Sequence, residues 1–368
     1  IKNDLYIYSG FSGTETNIKQ RDIANNPTTL NGDIGQPGEN TDNTHSIIRA
    51  SGITSTIILD GFRIINGYSG ISYYGGAIHY SASQNGNLLL RNCYFFSNTS
   101  YYYGGAIYLD GARLSIESCE FRNNQSVSGG NGGALYGLGA NNGANTLKIK
   151  DSKFIGNTSR IGACLANTGS YRLLEIDKCV FTNNISEYSI LDIEYADTTR
   201  IYNSYVIGNT VDDFNSNIIE ISHYTNHYTE YCELVNCTIA DNYNVYQNTI
   251  QSEMLSLSKD YYKIRNCIIY GNTPYNGRQI NGGLQISNSI IQGGYTGGTT
   301  IYNFNPKFVS PNYTSSNFDA TSYDYTLKTT SPAINSGDNS FVGNNFLLDL
   351  NNNNRIQNGT VDLGAYES

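Results

Sequence analysis

One nine-residue pattern returns eight times along this chain, and that repetition constrains the fold more than any other feature. Each copy has an aliphatic residue, two spacers, Cys or Ser, one spacer, then Phe, Val or Ile, usually with Asn three positions later. The copies read LRNCYFFSN (90–98), IESCEFRNN (116–124), IKDSKFIGN (149–157) and IDKCVFTNN (176–184). They continue as IYNSYVIGN (201–209), LVNCTIADN (234–242), IRNCIIYGN (264–272) and ISNSIIQGG (286–294), after a degenerate first copy, LDGFRIING (59–67). The eight lie 22 to 33 residues apart, which suits one turn of a three-strand coil with a variable loop at one corner.

Stacked in register, the copies make columns. Leu90, Ile116, Ile149, Ile176, Ile201, Leu234, Ile264 and Ile286 form one aliphatic ladder. Phe95, Phe121, Phe154, Phe181, Val206, Ile239, Ile269 and Ile291 form a second. Between them Cys93, Cys119, Cys179, Cys237 and Cys267 share a position with Ser152, Ser204 and Ser289, as small residues at a tight interior bend should. Five of the seven cysteines are thereby read as structural free thiols. Asn98, Asn124, Asn157, Asn184, Asn209, Asn242 and Asn272 make a column at the turn, where an amide can tolerate left-handed backbone and bond the Asn one coil away.

A second strand precedes each copy, beginning GGAIHYS (75–81), GGAIYLD (104–110), GGALYGL (132–138) and IGACLAN (161–167), followed by ILDIE (190–194), IIEIS (218–222) and MLSLS (254–258). Alternation points Ile78, Ile107, Leu135, Cys164, Leu191, Ile219 and Leu255 inward. It points His79, Tyr108, Tyr136, Leu165, Asp192, Glu220 and Ser256 outward. A strand of this kind buries its apolar side only by stacking on neighbours. The expected fold is therefore all-β: a right-handed parallel β-helix, or solenoid, of about nine coils with N- and C-terminal capping segments. The repeats occupy 59–298, residues 1–58 form an N-terminal capping region and 299–368 a C-terminal closing segment.

Composition narrows the partners. Only 14% of the 368 residues are charged and the net charge is −9, so nucleic acid, which needs a surplus of Lys and Arg, is not expected. No apolar run approaches the roughly 20 residues of a membrane-spanning helix, so no transmembrane segment is expected. The chain begins at Ile1 and reads as a mature or trimmed fragment of an exported protein.

The GGAI element followed by Phe-x-x-Asn resembles the repeat of chlamydial polymorphic outer-membrane proteins and related bacterial β-helix surface proteins. The stretch YSGFSGTETNIKQRDIANNPTTLNGDIG (8–35) resembles the opening of large secreted proteins of that kind. SPAINSGDN (331–339) with DLNNNNRIQNGTVDLGAYES (349–368) resembles a choice-of-anchor Q closing segment. The resemblance spans nearly the whole chain. It implies a bacterial secreted or cell-surface location and an adhesive role, and it supplies no catalytic residue set.

Candidate chemistry is sparse. There is no GxSxG, HExxH, GxGxxG or P-loop pattern, and His223 and His227, four apart, read as loop decoration rather than a metal pair. Asp192 and Glu220 should stack on adjacent coils with Glu194 on the same face. Close carboxylates suit a retaining glycosidase pair, a Ca²⁺ site of hard oxygen ligands, or an ordinary solvated acidic patch. Tyr73 and Tyr74, with Tyr101, Tyr102 and Tyr103 one coil later, are candidate sugar-stacking rings. Asp349-x-Asn351-x-Asn353 imitates the start of a Ca²⁺ loop but lacks the Gly and Glu of an EF-hand. No cofactor is expected apart from a candidate Ca²⁺.

Two functions follow. The favoured one is a non-enzymatic secreted or surface solenoid that binds a glycan, a surface protein or copies of itself. The alternative is a polysaccharide lyase or glycoside hydrolase working through Asp192, Glu220 and Glu194.

Overall fold

The computed structural model describes residues 4–72, 74–82, 86–139, 145–213, 215–222, 231–245, 255–257, 262–274, 279–281, 285–313, 319–343 and 346–368. The protein is an all-β parallel solenoid of about seven turns, divided into two compact units, Ile1–Arg172 and Leu173–Ser368. Each turn has a bent first face, a short second face and a third face.

In the first unit the bent face stacks Leu5–Tyr8, Thr56–Asp60, Asn87–Arg91, Arg113–Glu117 and Thr146–Lys150 in parallel. Past the bend it stacks Thr28–Asn31, Phe62–Ile65, Tyr94–Phe96, Glu120–Arg122 and Lys153–Ile155. Within 1–58, Leu5–Tyr8 and Thr28–Asn31 thus lay down the first rung of this face. The second face is Tyr68–Ser69, Thr99–Ser100, Gln125–Ser126 and Thr158–Ser159. The third is Ile48–Ile53, Ile78–Ala82, Ile107–Asp110, Leu135–Leu138 and Leu165–Asn167. Leu90, Ile116 and Phe154 are fully buried, and Phe95, Phe121 and Phe154 stack face to face with centroids 4.7 Å apart at each step.

The second unit repeats the plan. Leu173–Asp177, Thr198–Tyr202, Tyr231–Val235, Lys263–Arg265 and Gln285–Ile291 carry the bent face, and Thr299–Tyr302 pairs with the last of them. The short face is Ile185–Ser186, Thr210–Val211 and Tyr243–Asn244. The third face is Ser189–Glu194, Asn217–Ser222, Leu255–Leu257 and Ile280–Asn281.

The count falls from about nine coils to about seven because, among the described residues, the last two copies carry no short second strand. After Asn272, Thr273 makes only an isolated bridge with Tyr243, and Pro274 has no N–H to extend it. The final copy ends in Gly293 and Gly294, both with positive φ, where the chain turns away.

The bend column explains why Cys and Ser interchange. Cys119 Sγ donates to Glu117 O (3.4 Å) and accepts from Cys93 N (3.4 Å). Ser152 Oγ does the same with Lys150 O (2.7 Å) and Cys119 N (3.1 Å). Both side chains meet one geometric demand, and all seven cysteines are free and buried. Left-handed backbone falls one residue ahead of each column, not within it. It is taken by Asn92, Ser118 and Asp151 before the Cys/Ser position, and by Ser97, Asn123 and Gly156 before the Asn position. The asparagines themselves run a side-chain ladder. Asn98 Nδ2 donates to Asn124 Oδ1 (3.0 Å) and Asn124 Nδ2 to Asn157 Oδ1 (3.0 Å).

One register differs from the sequence reading. Leu135 pairs with Leu165, so Gly162-Ala163-Cys164, rather than Ile161-Gly162-Ala163, continues the Gly-Gly-Ala element. Gly75, Gly104, Gly132 and Gly162 share positive φ at this position, which identifies the equivalence. Cys164 therefore occupies the alanine position, and Ala166 takes the outward place expected for Leu165.

The described residues of 303–368 run along the outside of the second unit. There Phe308, Tyr325, Leu327, Ala333 and Leu363 cover Tyr205, Ile207, Ala240, Ile268 and Ile290 in one apolar cluster. Polar pins fix the segment: Ala365 N donates to Thr238 Oγ1 (2.9 Å), Ala320 N to Asn183 Oδ1 (2.9 Å), and Lys178 Nζ to Asn352 Oδ1. Among the described residues, no helix is long and apolar enough to cross a membrane.

Candidate functional site

The acidic group sits on the third face of the second unit. Leu191 pairs with Ile219 and Ile193 with Ile221, all fully buried, which sets Asp192 beside Glu220 on the opposite side of the strands. Asp192 is nevertheless only 6% exposed, while Glu194 and Glu220 are partly exposed. Ser189 Oγ donates to its Oδ2 (3.1 Å), while Oδ1 has no hydrogen-bond partner among the described residues. Burial pushes the Asp192 carboxyl up to about 8, helped by the charges of Glu220 and then Glu194. Glu220 is also raised by burial, opposed by a hydrogen bond from Asn217, and Glu194 by burial and then by Glu220. Asp192 therefore holds its proton around neutral pH beside a second carboxyl, the electronic arrangement that acid–base hydrolysis uses.

The cation candidates have other surroundings. Asp349 Oδ1 accepts from Asn351 N (2.9 Å) and Asn353 N (2.7 Å). Its Oδ2 accepts from Glu367 N (2.9 Å) and Asn353 Nδ2 (3.2 Å). The Asp349–Asn353 stretch is thus closed by amide donors as a turn, over the buried Arg355, whose Nη2 donates to Asp362 O and Gly364 O. Among the described residues, no three His, Cys, Asp or Glu side chains converge on a metal position.

The tyrosines do come together, on the third face of the first unit. His79, Tyr108, Tyr136 and Ala166 form one outward column. Tyr74 lies on Tyr108 (4.8 Å) and Tyr103 stacks on Tyr136 (4.5 Å), while Tyr108 and Tyr136 stack on each other (5.8 Å). Tyr102 adjoins Tyr103, and Tyr101 meets Tyr102 edge-on. Tyr108 and Tyr136 are buried by these neighbours, whereas Tyr74, Tyr101, Tyr102 and Tyr103 stay half-exposed. Several ring faces are thus used within the cluster, and the Tyr136 hydroxyl is hydrogen-bonded to Thr168 Oγ1 (2.7 Å). Tyr73, His223 and His227 lie outside the described residues.

Sequence reasoning missed a third group, on the bent face of the second unit. Glu175, Arg200, Glu233 and Lys263 share one outward column. Tyr202 Oη and Tyr231 Oη (2.5 Å) both donate to the Glu233 carboxylate, and Arg265 Nη1 lies 3.6 Å from it. Burial and then Glu233 hold the Tyr231 hydroxyl at about 12, so it acts as a donor. The available signal was register: these residues stand 25 to 33 positions apart and meet only once the copies are stacked.

No protein-family model matches the chain, and no curated protein is significantly similar to it.

Proposed function

We propose that this chain is a non-catalytic recognition solenoid of the secreted or cell-surface kind, and that it binds a glycan through the tyrosine flank of its first unit. The observation that supports this is the interlocked cluster of Tyr74, Tyr103, Tyr108 and Tyr136, with Tyr101 and Tyr102 at its rim. Rings already packed against one another lose little conformational freedom on binding, and Tyr74, Tyr101, Tyr102 and Tyr103, partly exposed, are amphipathic side chains at that surface. The resemblance of the repeat and closing segment to bacterial surface β-helix proteins supports an exported, adhesive role. The test is a glycan array with the wild type and with Tyr74→Ala/Tyr103→Ala. Binding to a defined glycan set that drops in the variant supports the reading, and binding that is unchanged overturns it.

The hydrolase alternative draws support from one feature, the proton held on Asp192 beside Glu220. Polysaccharide turnover that disappears in Asp192→Asn and in Glu220→Gln would replace the binding reading.

A further inference from the structure

We infer that the bent face of the second unit carries a separate anion-recognition site, built by Arg200, Tyr231 and Lys263, for a linear glycan with one anionic sugar in every two. It rests on charge in a different unit, so it survives failure of the tyrosine-flank reading.

The outward column Glu175–Arg200–Glu233–Lys263 alternates in sign from coil to coil. In such a column a cation would ordinarily pair with the carboxylate of the adjoining coil. The first unit shows that case: Arg91 reaches Glu117 in the next coil at 3.4 Å. In the second unit Glu233 is withdrawn from this role. Its carboxylate is turned to the hydroxyls of Tyr202 and Tyr231 and to Arg265, and only 10% of its side chain is exposed. Lys263 is left with no carboxylate in ion-pair reach among the described residues. Its Nζ rests 4.7 Å from the Tyr231 ring centre instead. Arg200, with its side chain 40% exposed, meets Glu175 only at 3.9 Å and also leans on Tyr231, at 5.8 Å. Two under-neutralised cations, one from the coil before and one from the coil after, thus flank a single tyrosine.

Spacing selects the ligand. Coils repeat at about 4.8 Å, so residues two coils apart are separated by roughly 10 Å. That rise per coil is close to the length of one pyranose unit in an extended chain. A glycan lying along the stack would therefore present an anionic group to Arg200 and the next one to Lys263 if every second sugar were charged. A polymer with a charge on every sugar would also place one over Glu233. Nucleic acid, with its dense phosphate charge, is opposed by the net charge of −9. Guanidinium and ammonium groups pair with carboxylate and sulfate alike, so the source of the charge is left to the experiment.

The experiment is calorimetric titration of the full chain at low and high salt. The probes are hyaluronan (a carboxylate on alternate sugars), kappa-carrageenan (a sulfate on alternate sugars), polygalacturonate, single-stranded DNA and neutral dextran. Salt-sensitive binding is expected for hyaluronan or kappa-carrageenan above polygalacturonate and DNA, and none for dextran. Arg200→Gln/Lys263→Gln should weaken it roughly tenfold or more, as lost charge-assisted contacts do. Arg91→Gln/Lys150→Gln, the same charge change in the first unit, where Arg91 has Glu117 as its partner, should leave it intact. Tyr231→Phe keeps the ring but frees a Glu233 oxygen to compete for Lys263, so it too should weaken binding while the melting temperature shows the fold retained. Lys263→Gln alone, at a partly exposed position, serves if the double variant does not fold. Wild-type protein that binds none of the anionic glycans, or prefers DNA, overturns the proposal. So do equal losses in the two double variants, which would reduce it to bulk charge.

Discussion

On the bent face of the first unit, Asp60, Arg91, Glu117 and Lys150 share a column, and past the bend Glu120, Arg122 and Lys153 face outward. In the second unit the outward positions past the bend include Tyr205, Ile207, Ala240, Ile268 and Ile290, and Phe308, Tyr325, Leu327, Ala333 and Leu363 bury them. The interiors hardly differ: aliphatic, Cys/Ser and Asn columns run through both. One internal template therefore supports two unlike exteriors, a polar one and one built to be covered. The interior columns fix the fold, and the outward positions set what each unit contacts.

The largest effect should come from removing the cover. Ending the chain after Tyr302 would expose Ile207, Ile268 and Ile290, and we expect aggregation with loss of hydrogen-exchange protection in Leu173–Tyr302. A monomeric truncated protein with unchanged protection there would erase the contrast between the units. A smaller effect sharpens the other half of the comparison, the interior. Phe154→Ala in the first unit should cost about 3–5 kcal/mol, while Ile239→Val in the aliphatic stretch of the same column should cost about 0.5–1.5 kcal/mol. Denaturant titration of both variants checks this, and equal losses would show that the stacked rings confer nothing beyond aliphatic packing.

The smallest effect is a pH dependence. Asp192 is raised from 3.8 to about 8, so the folded state holds its proton more tightly than the unfolded state. Its favourable contribution is complete below about pH 4 and is lost as pH rises through 8. Asp192→Asn should therefore melt a few degrees above the wild type at pH 8 and flatten the decline between pH 5 and 8. A parallel decline in the variant would assign the pH dependence elsewhere, for instance to Glu367, which burial raises to about 7.

Much of this architecture was legible in the residues. Repetition of Leu/Ile, Phe, Cys/Ser and Asn at fixed offsets can be satisfied only by stacking, and the columns from Leu90 to Ile286 follow directly. The register at Leu165 was not legible, because Gly-Gly-Ala had drifted to Gly-Ala-Cys and the drifted element aligns equally well one residue off. Alternation placed Asp192 opposite Leu191 and Ile193, but no local pattern reports how deeply an outward side chain is covered. The tyrosines were brought together by loop equivalence, whereas the orientation of Tyr103 on Tyr136 depends on packing across coils. The Glu233 group escaped because its members belong to different copies and share no motif.

The asparagine ladder has one more consequence. In the second unit Asn184 donates to Asn209, Asn209 to Asn242 and Asn242 to Asn272, each at 2.9 Å, and Asn272 donates to Gln279 Oε1 at 2.9 Å. Every side-chain amide therefore points the same way, and dipoles aligned head to tail add, as peptide dipoles do along a helix. The interior carries an electrical direction, positive toward Asn272, where the Gln279 oxygen receives it. Aspartate is nearly the same shape but has no hydrogen to donate when ionised. At Asn209 or Asn242 it would interrupt this polarity and set a buried charge against the oxygen of the next rung.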